Sequence, residues 1–178
     1  MTESNGTPAR RQFSLEELEP LIREAFADGK GFWLPVTGTS NLPTLAPGRD
    51  EIILGRVDQP LRKRELPLYR RDSGQYVLHR IVSVQKDGTY SCCGDHQWVK
   101  EPGIRPDQII GRVVRITRKG KSFSVDSAFY QAWVRIWVLL FPCRSFLIRS
   151  CHALIRFKQK LSPPKTITHV IQLSSSRK

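Results

Sequence analysis

From Phe32 to Arg118 the chain is cut into short segments by turn chemistry, and this punctuation restricts the fold more than any other feature. Asp72-Ser73-Gly74 and Lys86-Asp87-Gly88 have the composition of hairpin turns. Around them the pattern predicts strands over 32–37, 49–57, 66–71, 75–85, 88–93 and 107–118. Val77, Ile81, Val82 and Val84 mark one partly buried strand. Ile109, Ile110, Val113, Val114 and Ile116 mark another. Short strands joined by tight turns imply a mainly β, antiparallel domain, here spanning 32–125.

The flanks read as helical. Ser14 is a good N-cap with Glu17 three residues on, and Leu15, Leu18, Leu21, Ile22, Ala25 and Phe26 recur at helical spacing. Gly29 and Gly31 end this helix, so 1–31 is expected to be a tail plus a helix covering a sheet edge. Past Ser124 the period changes again. Phe129, Trp133, Ile136, Trp137 and Leu140 fall on one helical face, and Pro142 should break or kink the helix. Beyond it Arg149, His152, Arg156 and Lys160 form a basic stripe opposite Phe146, Leu147, Cys151, Leu154 and Ile155. Residues 126–178 are thus expected to be a basic, amphipathic helical region.

Charge decides which surfaces such a region suits. The net charge is +13, and no acid follows Asp126, whereas nine Lys/Arg do. The apolar stripe is expected either to pack on the sheet or, through 129–160, to lie on an anionic membrane surface. Nucleic-acid phosphates are the weaker expectation. The longest uncharged apolar run, between Arg135 and Arg144, falls far short of the roughly 18–20 residues of a transmembrane helix. The acid-rich first thirty residues lack the pattern of a secretory signal, and the four cysteines form no disulfide framework. The expected location is cytoplasmic, peripheral at most to the inner membrane face. No zinc-ribbon spacing occurs, and neither a metal nor a cofactor is expected.

Candidate chemistry lies in Val36-Thr37-Gly38-Thr39-Ser40-Asn41-Leu42-Pro43-Thr44-Leu45-Ala46-Pro47-Gly48-Arg49-Asp50. Here a serine sits on a stiff, irregular connection between two strands. Such a residue is either a turn serine bonding its own backbone or a pre-oriented nucleophile. A hydroxyl nucleophile needs a base within hydrogen-bond reach. His79, in Tyr76-Val77-Leu78-His79-Arg80-Ile81-Val82, can be one at neutral pH.

Gly38-x-Ser40-x-x-Pro43-Thr44-Leu45, Pro47-Gly48-Arg49-Asp50, Leu66-x-Leu68-Tyr69-Arg70, Val77-Leu78-His79-Arg80-Ile81, Gly94-Asp95 and Ile110-Gly111-Arg112-Val113 occur in that order. Together they resemble the type I signal peptidases, in particular the Ser–His branch known from archaea and the endoplasmic reticulum, within the superfamily shared with LexA-type repressors. The resemblance spans roughly residues 32–118. It implies a coiled antiparallel sheet and a serine endopeptidase that cleaves an extended peptide bound as an added strand. Ser40 would be the nucleophile and His79 the general base, at the position of the bacterial lysine. The Ser40 N–H would serve the oxyanion, and Gly38, Asn41 and Pro43 would face substrate. Asp95 would orient the histidine or hold the loop.

Three positions depart from the family. Asn41 stands in place of Met, and Arg64-Glu65 replaces Gly-Asp before a strand. Gly94-Asp95-His96-Gln97 lacks the further Asp, leaving Asp95, Glu101 and Asp107 open as the third partner. The alternatives are a catalytically degenerate peptide-binding module of the same fold, or a nucleic-acid-associated protein using the basic tail.

Overall fold

The computed structural model describes residues 13–143. Helix α1, Leu15–Ala27, opens on the expected capping box: Glu17 N–H donates to Ser14 Oγ at 3.2 Å and Ser14 N–H donates to Glu17 Oε2 at 2.8 Å. It continues through Pro20, and Gly29 follows its end at φ 70°.

Nine strands follow among the described residues. They are β1 (Phe32–Pro35), β2 (Asp50–Gly55), β3 (Pro67–Arg70), β4 (Tyr76–Leu78), β5 (Arg80–Val84), β6 (Tyr90–Cys93), β7 (Glu101–Ile104), β8 (Ile109–Arg118) and β9 (Lys121–Ser124). Helix α2, Ala128–Leu139, stops before Pro142 as expected, and a 3₁₀ turn, Phe141–Cys143, ends the described chain. Every strand pairing is antiparallel.

The larger sheet runs β1-β2-β8-β3-β4, with β9 also on β8; the smaller is β5-β6-β7. Strand β8 is the spine: β2 lies along one edge, while β3 and then β9 share the other. Register shifts at Ile53/Leu54 and Leu68/Tyr69 add local twist, and the sheet curls. Strands β1 and β4 are left as its two edges.

The β3–β4 hairpin separates two cores. On one side Leu68 joins Ile22, Phe26, Leu34, Ile52, Leu54, Val113, Ile116, Tyr130 and Val134, with Leu78 packed against them. On the other, Tyr69 and Val77 join Leu61, Ile81, Tyr90, Cys92 and Ile104. Alternation along two adjacent strands thus feeds both clusters.

Several expectations are corrected. The single strand predicted over 75–85 is two, β4 and β5, belonging to different sheets, with His79 at the break. The chain changes sheet here because β5 enters alongside Arg64 and Glu65: Ile81 N–H donates to Glu65 O and Arg64 N–H donates to Ile81 O. Strand 107–118 begins instead with a 3₁₀ turn at Pro106–Gln108. Strands β7 and β9 lie outside the segments predicted as strands. Pro102 and Gly103 disguise the first, and the second is a four-residue piece behind a turn at Lys119 and Gly120, both at positive φ.

The stripe expected on one face of α2 is not the buried one. Tyr130, Val134 and Val138 face the core, while Phe129, Trp133, Ile136 and Leu140 are exposed and Trp137 is half-buried. The helix is apolar on two sides, so periodicity alone does not choose between them. The basic stripe of Arg149, His152, Arg156 and Lys160 lies outside the described residues.

Candidate active site

Ser40 lies in the turn that follows β1, and the far end of that connection is anchored by Asp50. The buried Asp50 carboxylate accepts from Arg49, from Arg118 Nε at 2.7 Å and from the Ala46 N–H at 2.9 Å. Arg49 and Arg118 in turn donate to the carbonyls of Pro43 and Thr44, at 3.0 and 2.7 Å. Burial works to raise the Asp50 carboxyl, but the two guanidiniums and the amide hold it below its ordinary value. It therefore stays ionised. The Leu42–Pro43 peptide is cis.

The near end of the loop is held by the strand segments around it. His96 N–H donates to the Ser40 carbonyl at 2.8 Å. Gly94 passes so close that a Cβ there would stand 2.5 Å from that same oxygen, which is a physical reason for glycine. Asn41 is only 4% exposed. Its Nδ2 donates to the Leu78 carbonyl at 2.6 Å, and its Oδ1 accepts the Asp95 N–H at 3.3 Å. The residue after Ser40 is thus bonded to the residue before His79.

Ser40 and His79 line one cleft of about 450 Å³. Its walls are Leu34–Gly38 leaving β1, Tyr76–Leu78 of β4, and Leu15 and Leu18 of α1, with Asn41 at the base. Pro43 is exposed and outside it, whereas Gly38 is part of it. The two edges of the curled sheet therefore face the same opening. No hydrogen bond joins the Ser40 hydroxyl to His79 among the described residues. Catalytic bonds in unliganded sites are often long and tighten when substrate arrives.

His79 is 7% exposed, and its Nδ1 is buried without a hydrogen-bond partner. Nδ1 lies 4.0 Å from Glu101 Oε2. Arg71 donates to both Glu101 oxygens at 2.6 Å, and Tyr69 Oη donates to Oε2 at 2.7 Å. Burial works to raise the Glu101 carboxyl, yet Arg71 and Tyr69 keep it below the ordinary value. The Tyr69 ring also meets the imidazole edge-on, with centroids 6.5 Å apart.

Burial lowers the His79 pKa below 6.5; Glu101 opposes that shift and Arg71 reinforces it. The imidazole is neutral at neutral pH. A proton on Nδ1, the Glu101 side, leaves Nε2 as the lone-pair nitrogen.

Of the three carboxylates left open by the sequence, Glu101 faces the histidine. Asp95 is instead engaged by Arg80, whose Nε and Nη2 donate to it at 2.9 and 2.7 Å in the interior. Trp137 Nε1 donates to the Asp95 carbonyl at 3.1 Å, so this residue holds the loop to α2. Asp107 pairs with Arg105 at the surface. The pairing of Arg71 and Tyr69 with Glu101 is not legible in the sequence, because the partners lie 30 and 32 positions away. The available signal was that Glu101 is the only acid between Asp95 and Asp107.

Two of the cysteines offer no competing chemistry at this site. Cys92 and Cys93 are buried, and burial pushes the Cys92 thiol up to about 12, so it remains protonated. Comparison with protein-family models, curated proteins and solved structures finds no match.

Proposed function

We propose that this chain is a serine endopeptidase of the signal peptidase type, with Ser40 as nucleophile, His79 as general base and Glu101 as the carboxylate that steadies the imidazole. The observation that carries the reading is the Asn41–Leu78 hydrogen bond. It ties the serine turn to the histidine's strand, in a cleft that both residues line.

In the proposed reaction Nε2 of neutral His79 accepts the Ser40 hydroxyl proton as Oγ bonds to the scissile carbonyl carbon. The Ser40 N–H, which has no acceptor among the described residues, is available to the oxyanion. Collapse breaks the C–N bond, and the imidazolium returns its proton to the leaving amine. Water, deprotonated by the same imidazole, then hydrolyses the acyl ester and regenerates the serine. A substrate strand bridging the edges β1 and β4 would add main-chain hydrogen bonds to both, with apolar side chains entering between Leu34, Leu18 and Leu78.

A fluorophosphonate probe tests this. Wild type is expected to label covalently, Ser40→Ala not at all, and His79→Ala about 10²–10⁴-fold more slowly. Equal labelling of wild type and Ser40→Ala removes the proposal. Peptide binding without labelling selects the degenerate, binding-only form.

A second reading concerns α2. Phe129, Ile136 and Leu139 are 88%, 56% and 78% exposed, on a helix followed by an acid-free sequence. No helix among the described residues is long and apolar enough to cross a membrane. The exposed face suits the headgroup region of an anionic bilayer. Flotation of the full chain with anionic vesicles should succeed, and F129S/I136S/L139S should abolish it. If the triple variant floats equally well, this face is not the contact.

A further inference from the structure

A second cleft, of about 470 Å³, is built on residues 56–65 and shares no lining residue with the Ser40 cleft. Five bases line it: Arg56, Arg62, Lys63, Arg64 and Arg112. Two are neutralised locally, Arg56 by Asp58 at 2.8 Å and Arg112 by Glu65 at 3.1 Å. The side-chain charges of Arg62, Lys63 and Arg64 have no carboxylate partner among the described residues; the Glu65 carboxylate that accepts from Arg62 does so from its backbone N–H.

Arg64 is the unusual member. Its φ of 83° is one that non-glycine residues rarely hold. The conformation is locked from both sides, since Arg64 N–H donates to Ile81 O at 2.8 Å and Arg64 O accepts from Arg80 Nη1 at 2.9 Å. Backbone strain fixed this firmly is typical of functional positions. Its Nε is moreover buried with no acceptor. A buried guanidinium donor left unmatched is costly, and the side chain that carries it lines this cleft.

We infer that this cleft binds a phosphate group. Guanidinium forks match tetrahedral oxyanions, and the volume falls in the roughly 300–1,000 Å³ range of small-molecule sites rather than that of a duplex. Asp126 and Gln131 also line the cleft and can supply acceptors for hydroxyls, so the class is a hydroxylated phosphomonoester, free in solution or as a lipid headgroup. The inference is independent of the peptidase reading; Ser40→Ala should bind as wild type does.

The test uses the full chain, with glycerol 3-phosphate in solution and with phosphatidylcholine vesicles with and without phosphatidic acid, against sodium chloride at matched ionic strength. Arg64→Asn is the discriminating variant, because asparagine tolerates positive φ and keeps both backbone hydrogen bonds. Saturable binding of at least one phosphate probe, weakened about tenfold or more in Arg64→Asn, is expected. Response to glycerol 3-phosphate identifies a free ligand, and response to phosphatidic acid alone identifies a headgroup. If Arg64→Asn fails to fold, the exposed pair R62Q/K63Q takes its place, with a smaller loss expected. No saturable binding of either probe beyond the chloride control, or binding unchanged in the variant, overturns the inference.

Discussion

Asn41 Nδ2 lies 2.6 Å from the carbonyl oxygen of Leu78, and through that bond the turn bearing Ser40 is fastened to the strand end bearing His79. The same side chain accepts the Asp95 N–H, so one buried amide satisfies two backbone groups from two different segments. A methionine here would satisfy neither.

Replacing Asn41 by alanine or methionine leaves the Leu78 carbonyl and the Asp95 N–H without protein partners. The expected cost is about 1–3 kcal/mol in urea-induced unfolding. Probe labelling of Ser40 should fall as well, by about 10²-fold, because the two catalytic groups lose their common tether. Full retention of labelling would show that the amide is structural only.

The acid limb of the pH–rate profile should lie below the ordinary histidine value of 6.5, because burial disfavours the imidazolium. The base works when neutral, so lowering its pKa carries activity to lower pH. Glu101 pulls the other way, favouring the charged form. In Glu101→Gln the limb should therefore move further toward acid, while the plateau rate drops about 10²-fold as the ring loses its steadying partner. A limb moving toward alkali would contradict this assignment.

Asp95 and Arg80 are 0% and 1% exposed, and removing one partner strands a buried charge. Asp95→Ala is expected to lose about 3–5 kcal/mol in chemical denaturation. In enzyme that remains folded, the pH limb should move far less than in Glu101→Gln. A shift as large as that of Glu101→Gln would restore Asp95 as the histidine's partner.

Gly94→Ala tests the packing behind the nucleophile. Its new methyl would stand 2.5 Å from the Ser40 carbonyl oxygen, so the serine turn must shift, at an expected cost of about 1–3 kcal/mol. Thermal unfolding measures the first effect and Ser40 labelling the second. Both should fall. Substitution at Gly88, where a Cβ meets nothing within 4 Å, controls for crowding, although its φ of 84° adds strain.

Elements whose signal is local can be read from the chain alone. Ser14 and Glu17 announce the start of α1, turn residues separate β3 from β4 and β5 from β6, and Pro142 stands just beyond the end of α2. Ser40 and His79 were legible as candidates because hydroxyl and imidazole chemistry is a property of single residues. Tertiary structure decided whatever depends on partners distant in sequence. The break at His79 comes from two sheets claiming the two halves of one apolar run. Glu101 reaches the histidine because β7 pairs with β6, placing Glu101 opposite Cys92 and within reach of Tyr69 and Arg71. The inner face of α2 was likewise chosen by the position of the sheet, with Tyr130 Oη receiving Arg80 Nη2 at 3.3 Å. Periodicity records that a side chain is apolar, but which neighbour covers it is set only when non-local strands close against one another.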